Sequence, residues 1–134
     1  MLSPELKIKL TILKEFLSGN EFLALLQYEG SPDFSDKIDE WIESDIENDY
    51  IDLKNYDFRE GEVETNIQPS SSIHYESKSV AARMYDGSWV GWTYWYGGGK
   101  YGEPESVRWM NYAYHLECTE EEKLVIVRTF KVKE

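Results

Sequence analysis

Three glycines and a lysine, Gly97 to Lys100, stand just ahead of Glu103-Pro104-Glu105, which reads as a helix start. Glycines before a helix can cradle a phosphate with backbone N–H groups, and a lysine can reach its charge. The phosphate-loop pattern needs four residues between its glycines and a Ser or Thr after the lysine, and Tyr101 stands there instead. Glu103 and Glu105 would also repel an anion at that helix start. A flexible exit from a strand is the better account of these glycines.

Other residue sets fail in the same way. Asp45, Glu47 and Asp49 have the 1, 3, 5 spacing of a calcium loop, but Tyr50 replaces the turn glycine and Tyr56 the bidentate glutamate. One Cys and two His (Cys118, His74, His115) fall short of four zinc ligands. A Cys–His nucleophile pair needs its side chains in contact, and Cys118 reads more simply as a small buried residue past a helix end. Carboxylates are so numerous that any chosen pair says nothing about glycoside hydrolysis. The reading is therefore a non-enzyme with no catalytic residue, no metal and no cofactor.

Trp92, Tyr94, Trp95 and Tyr96, with Lys100 and Tyr101, make a candidate ligand surface. Such rings can stack on a sugar or a base, yet aromatic strands more often build core. A nucleic-acid platform would also want basic neighbours, and Lys100, Arg83 and Arg108 are all that stand near.

Charge gives a sharper signal. The net charge is −12, and residues 29–64 hold fourteen acids and three bases, so −11 lies in that one segment. Phosphates would be repelled, which disfavours direct binding to nucleic acid. A basic protein partner is favoured, and the field would steer it in. The candidate partner-binding residues are Asp36, Asp39, Glu40, Glu43, Glu47, Asp49 and Asp52. Like charges one helical turn apart weaken a helix, so the row suggests a use beyond solubility.

The elements that position these residues follow from pattern. One hundred and thirty-four residues fit one domain. Ser3-Pro4 opens a helix to about Ser18, with Leu6, Leu10, Leu13 and Leu17 on one face, Lys7 and Lys14 off it, and Gly19 as the stop. Asn20 caps a second helix, Glu21 to Tyr28. Ser35 caps a third, Asp36 to Asn48, with Phe34, Ile38, Trp41, Ile42 and Ile46 on the apolar side. Glu62 to Ile67 is a short strand. Ser79 to Tyr85 and Ser88 to Tyr96 form a hairpin through a two-residue Asp86-Gly87 turn. A helix from Glu103 to about Leu116 follows, with Trp109 facing the sheet, and Lys123 to Val132 is a long final strand. Helices first and an antiparallel sheet after make an α+β domain, with residues 1–49 helical and acidic and residues 75–134 a hairpin–helix–strand unit.

Gly-Trp-Thr-Tyr-Trp-Tyr-Gly-Gly-Gly-Lys with Gly-Glu-Pro-Glu-Ser, residues 91–106, resembles a segment of small bacterial and phage proteins. The resemblance covers roughly Val80 to Phe130. It implies the hairpin–helix–strand unit and brings no activity and no catalytic residue.

The functional expectation is an inhibitor that occupies a basic, nucleic-acid-binding surface of a partner, such as a nuclease. A DNA mimic acting against restriction or CRISPR defence, or an immunity protein holding a toxin, is the same physics. The alternative is a sugar- or nucleotide-binding module or enzyme built on the aromatic strand. A third class is a structural subunit that forms a homo-oligomer. No apolar run is long enough to cross a membrane, no signal peptide is read at the N-terminus, and a lone cysteine fits a reducing cytoplasm.

Overall fold

A computed structural model of the chain describes residues 2–46, 57–104 and 107–133. The fold is α+β: three N-terminal helices, then a four-stranded antiparallel sheet in the order β1-β2-β3-β4.

Helix α1 spans Pro4–Phe16. Ser3 caps it by accepting from the Leu6 amide at 3.3 Å, and Pro4 occupies the first turn, where a missing N–H costs no bond. Its buried stripe is wider than one face, taking in Lys7, Ile8, Leu10, Ile12 and Leu13. The cause is double packing, because α1 meets the sheet on one side and helices α2 and α3 on the other. Helix α2 spans Gly19–Leu26. Ser18, not Asn20, is its cap: the Ser18 hydroxyl accepts from the Glu21 amide, and the Glu21 carboxylate accepts from the Ser18 amide. Gly19 is thus the first residue of α2, not a stop after α1, which ends at Phe16 with Leu17 as its C-cap. Helix α3 spans Phe34–Ile46, so Ser35 lies inside it and is not its cap. Phe34 and Ile38 are buried against the other two helices.

The sheet comprises β1 (Val63–Glu64), β2 (Glu76–Arg83), β3 (Trp89–Tyr96) and β4 (Tyr114–Leu116). The register pairs Val80 with Trp92 and Ala82 with Val90, and these four side chains form the floor on which α1 lies. The hairpin turn is longer than a two-residue turn. Ser88 accepts from Met84 at 2.7 Å, and Gly87, at φ +85°, donates back to Met84 at 3.0 Å. This is a three-residue loop with a glycine bulge, which twists the strands in the favoured sense.

Lys7 fastens that turn to α1. Its ammonium donates to the Ser88 hydroxyl at 2.9 Å and lies 3.4 Å from the Asp86 carboxylate. Lys7 is therefore buried, contrary to its expected place off the apolar face. Burial pushes the Asp86 carboxyl up, but hydrogen bonds from the Ser88 hydroxyl and amide and the Lys7 charge outweigh it and hold the group below its ordinary value. A carboxyl with a lowered folded pKa stabilises the fold above its unfolded value, and this is lost as pH falls through the folded value. Asp86→Asn is expected to cost about 0.5–1 kcal/mol at neutral pH after solvent screening. The gap between wild type and variant should close in acid, below the ordinary carboxyl value of 3.8, when urea midpoints are compared across pH.

The chain after Gly102 departs from the sequence expectation. The expected helix to Leu116 is absent from the described residues. The Val107 amide donates to the Pro104 carbonyl, and Met110–Tyr112 forms one 3-10 turn. Trp109 is buried against Trp92, and the chain then straightens into β4 beside β3, pairing Trp89 with Leu116 and Gly91 with Tyr114. An unpaired β3 edge would leave N–H and C=O groups without partners, and Tyr-His-Leu satisfies them while laying two apolar side chains on the sheet. The expected strand Lys123 to Val132 is likewise not paired. β4 already holds the β3 edge, and residues 117–133 run exposed. No helix among the described residues is long and apolar enough to cross a membrane.

Candidate functional site

The first candidate is the outward side of α3. Asp36, Glu40 and Glu43 are exposed there, because Phe34 and Ile38 turn the opposite side into the core. Asp39 differs from them. The Lys9 ammonium donates to it at 3.0 Å and also lies 3.5 Å from Glu5, so Asp39 ties α3 to α1. Glu47, Asp49 and Asp52 lie outside the described residues, as does most of the candidate calcium loop.

Beside this row of acids, α2 and α3 part to leave a cleft of about 490 Å³, lined by Glu21, Ala24, Leu25, Tyr28, Lys37, Glu40 and Trp41. Its walls are apolar and aromatic, and its rim carries carboxylates from both helices. The chain's own Lys37 shows what such a place holds. Its ammonium lies 5.4 Å from the centre of the Tyr28 ring and 3.7 Å from the Glu40 carboxylate. A cation over a ring and beside a carboxylate gains from both. Pattern placed the acids of α3, but the α2 contribution depends on how the two helices meet and had no local signal.

The second candidate divides between core and surface. Trp92 is fully buried and is no part of a ligand surface. Phe58 stacks on it at 5.6 Å, Trp109 meets it at 5.0 Å, and its indole N–H donates to the Arg59 carbonyl at 2.8 Å. Tyr94 and Tyr96 stack on each other at 5.5 Å. The Arg59 guanidinium lies 4.8 Å from the Tyr94 centroid, and Lys78 lies 5.6 Å and 5.9 Å from the two rings. Trp95 points to the other face of the sheet by strand alternation, and its carbonyl accepts from Arg59 at 2.6 Å. Lys100 and Tyr101 are exposed beyond the glycines, paired with each other at 5.7 Å. The six residues therefore do not converge on one surface.

Arg59 was not singled out in the sequence, where it looks like one base among fourteen acids. It is buried and joins the turn at Asp57–Glu60 to the end of β3. The glycines do provide the exit expected of them: Gly97, Gly98 and Gly99 all take positive φ, between +73° and +89°. Gly98 sits so close to Tyr75 that a Cβ would come within 2.6 Å of that ring.

Cys118 is exposed, not buried. Among the described residues no three His, Cys, Asp or Glu side chains gather as a metal site would require. No protein family, characterised protein or solved structure matches the chain.

Proposed function

We propose that the protein is an acidic binding protein that occupies a basic, nucleic-acid-binding surface of a partner protein, with α3 and the α2–α3 cleft as its contact surface. The observation that carries this reading is the pairing of a carboxylate row with an adjacent aromatic cleft. Asp36, Glu40 and Glu43 rise about 5–6 Å per helical turn along one exposed side. An arginine or lysine of the partner can lay its apolar stem against Leu25, Tyr28 and Trp41 and its charge against Glu21 and Glu40. Interfaces draw most of their energy from a few such anchors, while the surrounding charges speed encounter. A defence nuclease or a toxin with a basic active site has the matching chemistry.

The ligand-binding alternative has less support. Trp92 serves the core, and the rings of Tyr94 and Tyr96 are already stacked on each other and faced by cations.

The test is capture of partners from host lysate on the tagged protein, elution by a salt gradient, and titration of the captured protein. Asp36→Asn with Glu40→Gln and Glu43→Gln should weaken binding by about 10–100-fold at low salt and flatten its salt dependence. Trp41→Ala should weaken it by about tenfold with the salt slope unchanged. Binding that ignores both sets of changes, or a captured partner without a basic surface, sinks the proposal. Asp39 is left intact because its bond to Lys9 belongs to the fold.

A further inference from the structure

The C-terminal segment 117–133 is the least explained part of the molecule. It leaves the sheet after β4 and makes no strand with any described residue. Yet its composition is that of a strand: Leu124, Val125, Ile126, Val127, Phe130 and Val132 crowd into nine positions with Thr129. Every one of those apolar side chains is more than three-quarters exposed. So much contiguous apolar, β-prone surface does not stay bare in water, and it marks an interaction site.

The sheet offers a seat of the right chemistry. Its face away from α1 carries a groove of about 420 Å³ whose lining includes Val63, Glu64, Ile67, Ala81, Trp89 and Leu116. Register puts Val63, Ala81, Trp89 and Leu116 on this same face, away from α1. Val63 and Ile67 are half exposed in its wall.

Charge matches as well. Lys123, Arg128, Lys131 and Lys133 are the only charged residues from 123 to 133, so the apolar stretch of the arm is basic, while its root carries the acids Glu117, Glu120, Glu121 and Glu122. Glu64 and Glu117 stand exposed in the groove's lining.

The arm's own root decides whose groove it fills. Glu117, Cys118 and Thr119 line the groove's edge, and Glu120 is held 3.5 Å from Arg83 beside it. To fold back, the chain would have to reverse across Glu120, Glu121 and Glu122. That link has no Gly, Pro, Asn or Asp to turn on, and its like charges extend it. An arm whose root resists a reversal into its own groove can still reach a neighbour's.

We propose that two copies of the chain exchange C-terminal arms, each arm lying in the β1–β4 groove on the open sheet face of the other. Exchange about a two-fold axis is reciprocal and closed, so it ends at a dimer. It uses the face opposite the helical layer, and so leaves the acidic side of α3 open and stands or falls independently of the partner reading.

Sedimentation equilibrium of the full chain over a dilution series reads this directly. The expected particle is twice the 15.8 kDa of one chain. Ile126→Glu with Phe130→Glu alters only exposed arm residues and should give a monomer with an unchanged circular dichroism spectrum. Ile67→Lys puts a cation in the groove wall and should weaken the dimer in the same way. Arm amides should be protected from hydrogen exchange in the dimer and lose that protection on dilution. A monomer at every concentration overturns the proposal, whether its arm amides are protected by fold-back or open. A dimer that survives the arm changes, or the groove change, overturns it too, and so does an open-ended polymer.

Discussion

Trp92→Ala is expected to remove about 3–5 kcal/mol of stability, the range for emptying a buried large aromatic site. A domain of this size has only about 5–15 kcal/mol in total, so the variant should be partly unfolded or close to it at 37 °C. Three losses combine. The indole is completely buried, so its full volume becomes cavity. Phe58 and Trp109 lose the ring between them, and with it the packing of two segments that have little regular structure of their own. The Arg59 carbonyl loses its donor, and an acceptor left without a partner in the interior carries its own penalty. Trp95→Ala, three positions along the same strand, is the control. Trp95 is half-buried on the open face, and its replacement should cost about 1 kcal/mol. Urea unfolding followed by far-UV circular dichroism measures both. Equal losses at the two positions would mean that the sheet is not one-sided.

That contrast marks what can be read in the chain. The alternation of Trp92 with Trp95 places the two rings on opposite faces, and the hairpin and the three helices are written in local periodicity, with only the cap of the first helix, Ser3, legible as well. Which face is the inner one is not. Both faces of β3 are aromatic, and the choice is made by α1, Phe58 and Trp109, which are distant in sequence. The expected helix after Pro104 failed for a related reason. Its spacing suits a helix on the sheet, but β3 needed a hydrogen-bonding neighbour more than it needed a cover. The same competition displaced the final strand. Its β pattern is real, but Tyr114–Leu116 took the edge first. For the candidate site, the acids of α3 were visible as a row, while the cleft that gives them a specific occupant arises only where α2 meets α3.

Gly61→Ala should be the second most damaging small change, at about 2–5 kcal/mol. Gly61 ends the turn that carries Arg59 and leads directly into β1. Its φ of +73° lies in the left-handed region, which costs a residue with a Cβ about 1–2 kcal/mol. Space is a separate obstacle. A Cβ there would lie 2.8 Å from the Val80 Cβ and 3.2 Å from the Ala81 carbonyl oxygen. Neither atom can swing aside, since one is fixed to the backbone of a central strand and the other is backbone. Relief must come from shifting β1 away from β2, and such overpacking adds about 1–3 kcal/mol. Gly87→Ala separates the two contributions. Gly87 has φ +85° but nothing within 4 Å of its would-be Cβ, so only the conformational cost of about 1–2 kcal/mol applies. The excess of Gly61→Ala over Gly87→Ala, read from denaturation midpoints at equal slope, measures how closely the Arg59 turn is pressed onto β2. If the two variants lose the same amount, the turn yields without resistance, and its contact with β2 is loose.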